Sequence, residues 1–421
     1  MASQCLSFVL AFLLSLNAAL DRTATAQEVE PASPLPQRSL MPMLRIDWTR
    51  GPNLPQGFQD SDGGILENRL ITVCGFCSGG LDRDNQEKPG VYPRGFLQKG
   101  WSIDLSNGGT WEPIPDFPGD ARQGLSAARV GDALFFWGGF SYTEPYCYRN
   151  GWRLSLRHDG WKWDPLPDYP WPIASAAMVT IGTKIYSVGG ADYNAEAFFT
   201  DTDRSGTLNH LGARFLVLDT DHLEAGWKEL ARCPGTPRWV HAAAAVDGDI
   251  YVIGGATGNT VRDGTNYGYC TVVDNWKYDP KTSTWTRIRD LPISSGNFPR
   301  STNLVFDDRY LILPGGYQYG SVLTPEDDIT QPYGTTSHAL PEHKSGLCND
   351  VFVYDTQRDL FGTADKLPMD NNVPMTVVQG DEIYLLGGET GGGVVEGEYY
   401  GHHPDLFLKG MVRKIHPGTN P

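Results

Sequence analysis

A short phrase of apolar and polar positions recurs along the chain. An apolar stretch is followed by a brief polar turn, a second apolar stretch and a pair of glycines, most clearly from Ala242 to Gly255 around the turn Asp247–Asp249. Apolar runs of this length, separated by a turn, predict two adjacent β-strands. Six copies are visible, and they end at Gly79-Gly80, Gly138-Gly139, Gly189-Gly190, Gly254-Gly255, Gly315-Gly316 and Gly387-Gly388.

Each copy continues into two further strand-like segments. The third segment often ends near an aspartate, and the fourth carries an aromatic residue. The glycine pairs are 51 residues apart from Gly138 to Gly189 and 72 apart from Gly315 to Gly387. Four strands repeated at about this period are typical of the blades of a β-propeller. We therefore predict an all-β, six-bladed propeller; the fourth-strand aromatics are Trp111, Trp161, Trp227, Trp285 and Phe361.

The last copy lacks an aromatic fourth strand after Met411–Ile415, whereas the chain start has an unmatched one in Arg45–Trp48. A strand from the N-terminus would complete the last blade and remove an open sheet edge. We predict that the N-terminal strand closes the last blade of a single propeller spanning residues 44–416, followed by a tail at 417–421.

The N-terminal segment has the features of an export signal. Leu6–Leu20 is almost wholly apolar, and Ala24-Thr25-Ala26 supplies a small-residue cleavage site. The alternative is a membrane anchor, but the apolar run is short for a bilayer span. We predict a signal peptide at 1–26, a flexible leader at 27–43, no membrane span after cleavage, and a secreted or periplasmic location.

Charge and cysteine content narrow the chemistry. The formal net charge of −16 argues against nucleic acid as a partner, because phosphate backbones repel such a chain. The Cys74-x-x-Cys77 spacing suits a redox or metal site, but it lies in a strand-like run with no second copy to complete a zinc site. We expect structural cysteines, no metal and no cofactor. After signal cleavage the cysteines are Cys74, Cys77, Cys147, Cys233, Cys270 and Cys348, which permit up to three disulfides of undetermined pairing.

The connections between second and third strands are expected to carry the functional site. They are long in most copies, whereas the turns between first and second strands are tiny, and long loops in a compact fold are usually functional or disordered. Antiparallel strands place all these long connections on one face. Arg122, Arg238 and Arg300 each precede an inner strand at that face, and we expect them to bind a ligand carboxylate or, alternatively, to brace adjacent loops.

Other candidates accompany the arginines. Glu389 and Glu196 are the predicted catalytic residues, with solvated carboxylates as the alternative. The remaining predicted ligand-binding residues are Trp239, His241, Tyr193 and Tyr317; loop packing is the alternative for both tyrosines, and a core position is the alternative for the histidine.

The repeats resemble the kelch family from Arg45 to Ile415, and within it the exported N-acetylneuraminate epimerases, or sialic acid mutarotases. Phe117-Pro-Gly-Asp-Ala-Arg122 before a glycine pair is similar to their second blade, and Gly387-Gly-Glu-Thr-Gly-Gly392 to their last blade. The resemblance implies interconversion of the anomers of an acidic sugar without a cofactor. No segment reproduces the Gly-Glu-x-x-Pro-Gly-x-Arg loop of that family, and Glu389 matches only its start. A non-catalytic propeller that binds a glycan or another protein remains the alternative.

Overall fold

Six antiparallel four-stranded sheets form the blades of a ring in the computed structural model. In each blade we label the strands a to d, from the axis outward. The sheets confirm the prediction of an all-β, six-bladed propeller. The described residues are 40–80, 92–106, 108–192, 212–259, 268–292, 295–296, 298–319, 321–323, 338–339 and 346–415.

The strands follow the chain order blade by blade. Blade 1 contains Asp62–Leu66, Arg69–Val73, Gly100–Asp104 and Glu112–Ile114; blade 2 contains Gln123–Val130, Ala133–Phe140, Gly151–Arg157 and Gly160–Leu166; blade 3 contains Ala177–Ile181, Lys184–Val188, Phe215–Asp219 and Lys228–Glu229. Blade 4 contains Ala242–Val246, Asp249–Ile253, Asn275–Asp279 and Thr284–Ile288; blade 5 contains Val305–Phe306, Tyr310–Pro314, Val351–Asp355 and Leu360–Ala364; blade 6 contains Met375–Gln379, Glu382–Leu386, Phe407–Lys414 and Leu44–Arg50.

The N-terminal strand closes the ring as predicted. Leu44–Arg50 pairs antiparallel with Phe407–Lys414 in a continuous register from Leu44 opposite Lys414 to Arg50 opposite Leu408. The a strands of neighbouring blades contact one another all the way round, including blade 6 with blade 1. The ring is therefore closed, and the inner edge of each blade is covered by its neighbours.

The residues just before this strand also contact the ring. The Met43 amide donates to the Thr363 carbonyl (2.8 Å), and the Thr363 amide donates to the Met41 carbonyl (3.0 Å). Residues 41–43 thus lie along strand d of blade 5. The predicted signal peptide, most of the predicted leader and the tail at 417–421 lie outside the described residues.

Tryptophans of the d strands link neighbouring blades. The indole of Trp111 donates to the Pro52 carbonyl (2.9 Å), where the chain leaves blade 6. Trp285 makes the same type of bond from blade 4 to blade 3, and Trp48 makes it from blade 6 to blade 5. In blade 2 the donor is Trp163, bonded to Pro115 in blade 1 (3.0 Å), and not the Trp161 that the sequence pattern singles out.

The glycine pair of blade 1 lies five residues earlier than the sequence pattern indicates. Strand b ends at Val73, so the paired positions are Cys74 (φ 62°) and Gly75 (φ 114°), not Gly79-Gly80. The Gly75 amide donates to the carbonyl of Arg122 (2.9 Å) in the next blade, just as the Gly190 amide donates to that of Arg238 (3.0 Å). Cys74 hides the repeat because a cysteine occupies a left-handed position that the other blades give to glycine.

All six cysteines of the ring are buried as thiols rather than disulfides. Burial raises the pKa of Cys74 and of Cys348 to about 12 and that of Cys233 to about 11, which disfavours the reactive thiolate. The disulfides that the even count permits do not form, and the cysteines serve as small apolar residues of the core.

The connections between strands b and c lie together on one face. They carry small sheets of their own, and one of these joins the b–c connections of blades 4 and 5 through a parallel pair. No helix among the described residues is long and apolar enough to cross a membrane. The additional strands are Phe76–Cys77 with Gly95–Phe96; Ala256–Asn259, Gly268–Val272, Ser321–Leu323 and His338–Ala339; Ser295–Gly296, Tyr317–Gln318 and Gly346–Leu347; and Gly393–Val395 with Glu398–Tyr400; a 3₁₀ helix covers Thr220–Ala225.

Candidate functional site at the axial mouth

An equivalent position precedes strand a in every blade, and we call the residue at this position the entry residue. This entry residue lies two positions before the residue that pairs with the end of strand b, and in five blades its φ is left-handed, between 45° and 67°. Non-glycine residues rarely adopt this conformation, and such residues cluster at functional sites. The entry residues are Asp60, Gly124, Ser175, Val240, Arg300 and Val373 for blades 1 to 6.

Backbone hydrogen bonds join the entry residues of blades 1 to 4. The Gly124 amide donates to the Asp60 carbonyl (3.1 Å), the Ser175 amide to the Gly124 carbonyl (3.0 Å) and the Val240 amide to the Ser175 carbonyl (3.2 Å). These four residues, together with Arg300 and Val373 at the start of the contacting a strands of blades 5 and 6, form a rim around the propeller axis on the face of the b–c connections. We call the space that this rim surrounds the axial mouth.

Charged groups gather at the axial mouth. The Arg300 guanidinium, from blade 5, donates to the Asp60 carboxylate in blade 1, and both side chains are buried. Asp62, two residues further along blade 1, is also buried and accepts a hydrogen bond from the Gly63 amide (3.1 Å). Arg300 thus bonds to one buried carboxylate, Asp60, and its charge also acts on a second buried carboxyl group, Asp62.

Asp62 titrates near neutral pH. Burial raises the pKa of its carboxyl to about 7, the charge of Arg300 opposes that rise, and Asp60 adds to it. Its Oδ2 atom has no hydrogen-bond partner among the described residues. A buried carboxyl with a pKa near the working pH can both give and take a proton, as general acid–base catalysis requires.

Neutral polar groups line the same region. The hydroxyl of Ser175, an entry residue, and that of Ser126, which occupies in blade 2 the position of Asp62, are buried without a hydrogen-bond partner among the described residues. Such groups usually bind water or a ligand. His241, next to an entry residue, is fully buried; its pKa is well below the usual value because of burial and the charges of Arg238 and Arg300, so the ring is neutral.

Arg122 and Arg238 occupy a different position from Arg300. They lie two residues before the entry residue and brace the ring from within. The Arg122 guanidinium donates to the Gly138 carbonyl (3.0 Å) and to Asn150 Oδ1 (2.7 Å), and Arg238 donates to the Gly254 carbonyl (3.2 Å).

Both bracing arginines are buried, and each makes a further contact inside the ring. Arg238 Nη2 lies 2.6 Å from Asp274 Oδ2, in a pair whose side chains are at most 1% exposed. Arg122 stacks over the ring of Tyr148 at 3.5 Å. These contacts favour the bracing alternative for both residues and leave Arg300 as the arginine at the axial mouth.

Glu389 lies on the blade 6 side of the b–c face. It follows the glycine pair, its Oε2 accepts from Asn372 Nδ2 (3.1 Å), and its Oε1 is 3.7 Å from His402 Nε2. Its side chain is 14% exposed. Burial raises the pKa of Tyr142 to about 12, Arg94 opposes this rise, and Asp60 and Glu389 add to it, so Tyr142 lies within the field of both carboxylates.

The other predicted site residues are more dispersed. Trp239 is buried against Ala191, Val240 and Ala256. Tyr317 packs against Tyr319 with ring centroids 5.0 Å apart. Tyr193 and Glu196 lie outside the described residues.

Sequence reasoning did not single out Asp60 and Asp62. The signal is present in Gln59-Asp-Ser-Asp62, because aligning blade 1 on Cys74-Gly75 places Asp62 level with Ser126, Ala177 and Ala242. An acidic residue where blades 2, 3 and 4 have small residues would then have been evident. Aligning blade 1 on Gly79-Gly80 instead shifts Asp62 by five positions relative to these residues.

Comparison with known proteins agrees with this architecture. A family model described as the Kelch motif matches residues 241–292, which hold the four strands of blade 4. The chain is a six-bladed β-propeller with a kelch motif in blade 4. The solved structure titled "Structure of YjhT" superimposes on this kelch propeller with a TM-score of 0.58 at 14% identity, covering 86% of this chain and 99% of that one, which supports the fold alone.

Curated relatives of the kelch propeller carry one recurring name. N-acetylneuraminate epimerase of Pasteurella multocida (strain Pm70) is 23% identical over 376 residues, covering 81% of this chain and 89% of the relative. N-acetylneuraminate epimerase of Haemophilus influenzae (strain 86-028NP) is 21% identical over 371 residues, covering 81% and 88%. The kelch propeller is therefore similar over most of its length to proteins named for sialic acid.

Proposed function

We propose that this kelch propeller binds an acidic sugar at its axial mouth and interconverts the anomers of that sugar. The observation that carries the proposal is the buried Asp62, with a pKa of about 7, beside Arg300. The names of the relatives supply the substrate class, N-acetylneuraminate, which has a carboxylate on its anomeric carbon.

The groups at the axial mouth match the needs of the reaction. Ring opening removes a proton from the anomeric hydroxyl and delivers one to the ring oxygen, while the bond between the anomeric carbon and the ring oxygen breaks. Closing on the other face of the resulting ketone reverses both transfers, so nothing is consumed. Arg300 provides a fork for the sugar carboxylate, and Ser126 and Ser175 can hydrogen-bond its hydroxyls.

Two carboxyl groups are assigned to the proton transfers. Asp62 exchanges a proton at neutral pH, and Glu389, on the blade 6 side, is the proposed second group. A well-placed acid or base accelerates such a reaction by about 10²–10⁴-fold. No cofactor takes part in this scheme. A secreted or periplasmic location is proposed from the apolar Leu6–Leu20 segment and the cleavage site that follows it.

The test is one-dimensional NMR of a freshly prepared solution of α-N-acetylneuraminate, with and without the protein. We expect the approach to anomeric equilibrium to be faster in proportion to protein concentration, and heat-unfolded protein to have no effect. Line broadening of the sugar signals without any acceleration would replace the proposal by the alternative of a non-catalytic glycan-binding propeller. An unchanged rate without broadening would refute sialic acid as the ligand.

A further inference from the structure

The carboxylate of Asp60, an entry residue at the axial mouth, is already bound to Arg300. Asp60 accepts from the Arg300 guanidinium although 240 positions separate them in the sequence, and the pair bridges blades 1 and 5. Asp60 adopts a left-handed backbone (φ 52°) that directs its side chain in this way. In the other described blades the entry residue is uncharged or, in blade 5, is Arg300 itself.

The side chain and the backbone of Asp60 make separate contacts with blade 2. Asp60 Oδ2 lies against Gly124, the entry residue of blade 2, where a β-carbon would come within 3.2 Å of the carboxylate. The backbone carbonyl of Asp60, not its side chain, accepts the hydrogen bond from the Gly124 amide that holds the rim together. The carboxylate can therefore be exchanged or displaced without breaking the bond between the first two blades.

We propose that the Asp60 carboxylate takes the place of the ligand carboxylate in the free protein. It binds Arg300 there, and an acidic sugar displaces it. The inference rests on the proposed function, since it needs a ligand that carries a carboxylate. A carboxylate of the ligand exchanges for a carboxylate of the protein, so Arg300 keeps a counter-ion in both states. The cost of an unpaired buried arginine is then avoided in the free protein, at the expense of affinity.

Asp60 is thereby a specificity-determining residue. A neutral sugar gives Arg300 no replacement for the charge it would lose, so such a ligand cannot displace Asp60 favourably. A ligand carboxylate can, because it brings the negative charge that Asp60 withdraws. The pair of Asp60 and Arg300 thus selects acidic sugars in two ways. It attracts the ligand carboxylate, and it makes binding of an uncharged sugar unfavourable because Arg300 would lose its counter-ion.

The substitutions that test this proposal use residue types that other blades have at the same position. Asp60→Gly copies Gly124 and Asp60→Ser copies Ser175, and both of those residues adopt the required left-handed backbone (φ 67° and 56°). Asp60→Glu keeps the charge and serves as the control. The probe is the methyl glycoside of N-acetylneuraminate, which cannot change its anomer, and its uncharged methyl ester is the second probe. Binding is measured by titration calorimetry, with thermal unfolding as the check on folding.

We expect Asp60→Gly and Asp60→Ser to bind the glycoside about tenfold more tightly than the wild type, and Asp60→Glu to bind it within about twofold. The methyl ester should gain nothing. If the wild type binds the glycoside but both variants bind it equally or more weakly, this inference fails and the proposed function stands. If neither the wild type nor any variant binds it, both fail.

Discussion

Asp62→Asn should slow the interconversion of N-acetylneuraminate anomers by about 10²–10⁴-fold, because the amide cannot exchange a proton with the sugar. The change keeps the shape of the side chain, and the hydrogen bond from the Gly63 amide can still be accepted. The measurement is the NMR rate at equal protein concentration. Asp381→Asn, in the exposed turn between strands a and b of blade 6 on the opposite face, is the matched control and should keep the wild-type rate.

The same variant should be more stable than the wild type at pH 8. The pKa of Asp62 is raised from 3.8 to about 7 in the folded protein, so its stabilising effect is present below pH 4 and is lost as the pH rises to about 7. Asparagine removes the charged form that burial disfavours. At about 1.4 kcal/mol per pKa unit, the gain in unfolding free energy at pH 8 is on the order of 1–4 kcal/mol, and it should vanish near pH 4.

Together the two effects separate a functional residue from a structural one. Lower activity with higher stability is the pattern of a residue kept for its chemistry. If Asp62→Asn keeps the full rate while Glu389→Gln loses it, the proton transfers belong to Glu389 alone and the assignment of Asp62 is wrong.

Arg238→Met should lower the free energy of unfolding by about 3–5 kcal/mol, because it leaves the charge of Asp274 buried without its partner. The Asp274 carboxylate would retain the Trp276 indole (2.6 Å) and the Thr236 amide (3.1 Å), which are neutral donors. Four hydrogen bonds that brace blade 4 would also be lost: one to the Asp274 carboxylate, and three to the backbone carbonyls of Thr236, Gly254 and Asp274. Urea denaturation followed by tryptophan fluorescence measures the change.

Arg287→Met is the matched control for that experiment. Arg287 pairs with Asp290 at 2.9 Å, but both side chains are more than one-third exposed. Exposed pairs contribute about 0–1 kcal/mol, so the control should change stability little. Equal and small losses for both variants would contradict the bracing role of Arg238 and return it to the candidates for ligand binding.

The sequence was sufficient to predict the ring because its signal is local. Two apolar runs, a tight turn and a glycine pair specify a hairpin within about 14 residues, and six such hairpins can close only as a ring of blades. The unmatched strand at Arg45–Trp48 was predictable for the same reason, since the last blade lacked one strand. Only blade 1 was misaligned, because Cys74 adopts a conformation that the sequence pattern assigns to glycine.

The site was less predictable because it depends on side-chain direction. Arg122, Arg238 and Arg300 all precede a strands, yet a difference of two positions places the first two inside the ring and the third at the axial mouth. Five of the six entry residues adopt a left-handed backbone, and the residue types at Val240 and Val373 do not predict it. The pairing of Asp60 with Arg300 joins blades 1 and 5, a distance in sequence that local patterns do not encode.

The most direct test of the axial mouth as the functional site is a crystal structure of the protein soaked with N-acetylneuraminate. We predict the sugar at the mouth on the face of the b–c connections, with its carboxylate on the guanidinium of Arg300, the Asp60 side chain displaced and Asp62 facing the sugar. A sugar bound at the outer rim or on the opposite face, with the pair of Arg300 and Asp60 intact, would contradict the account.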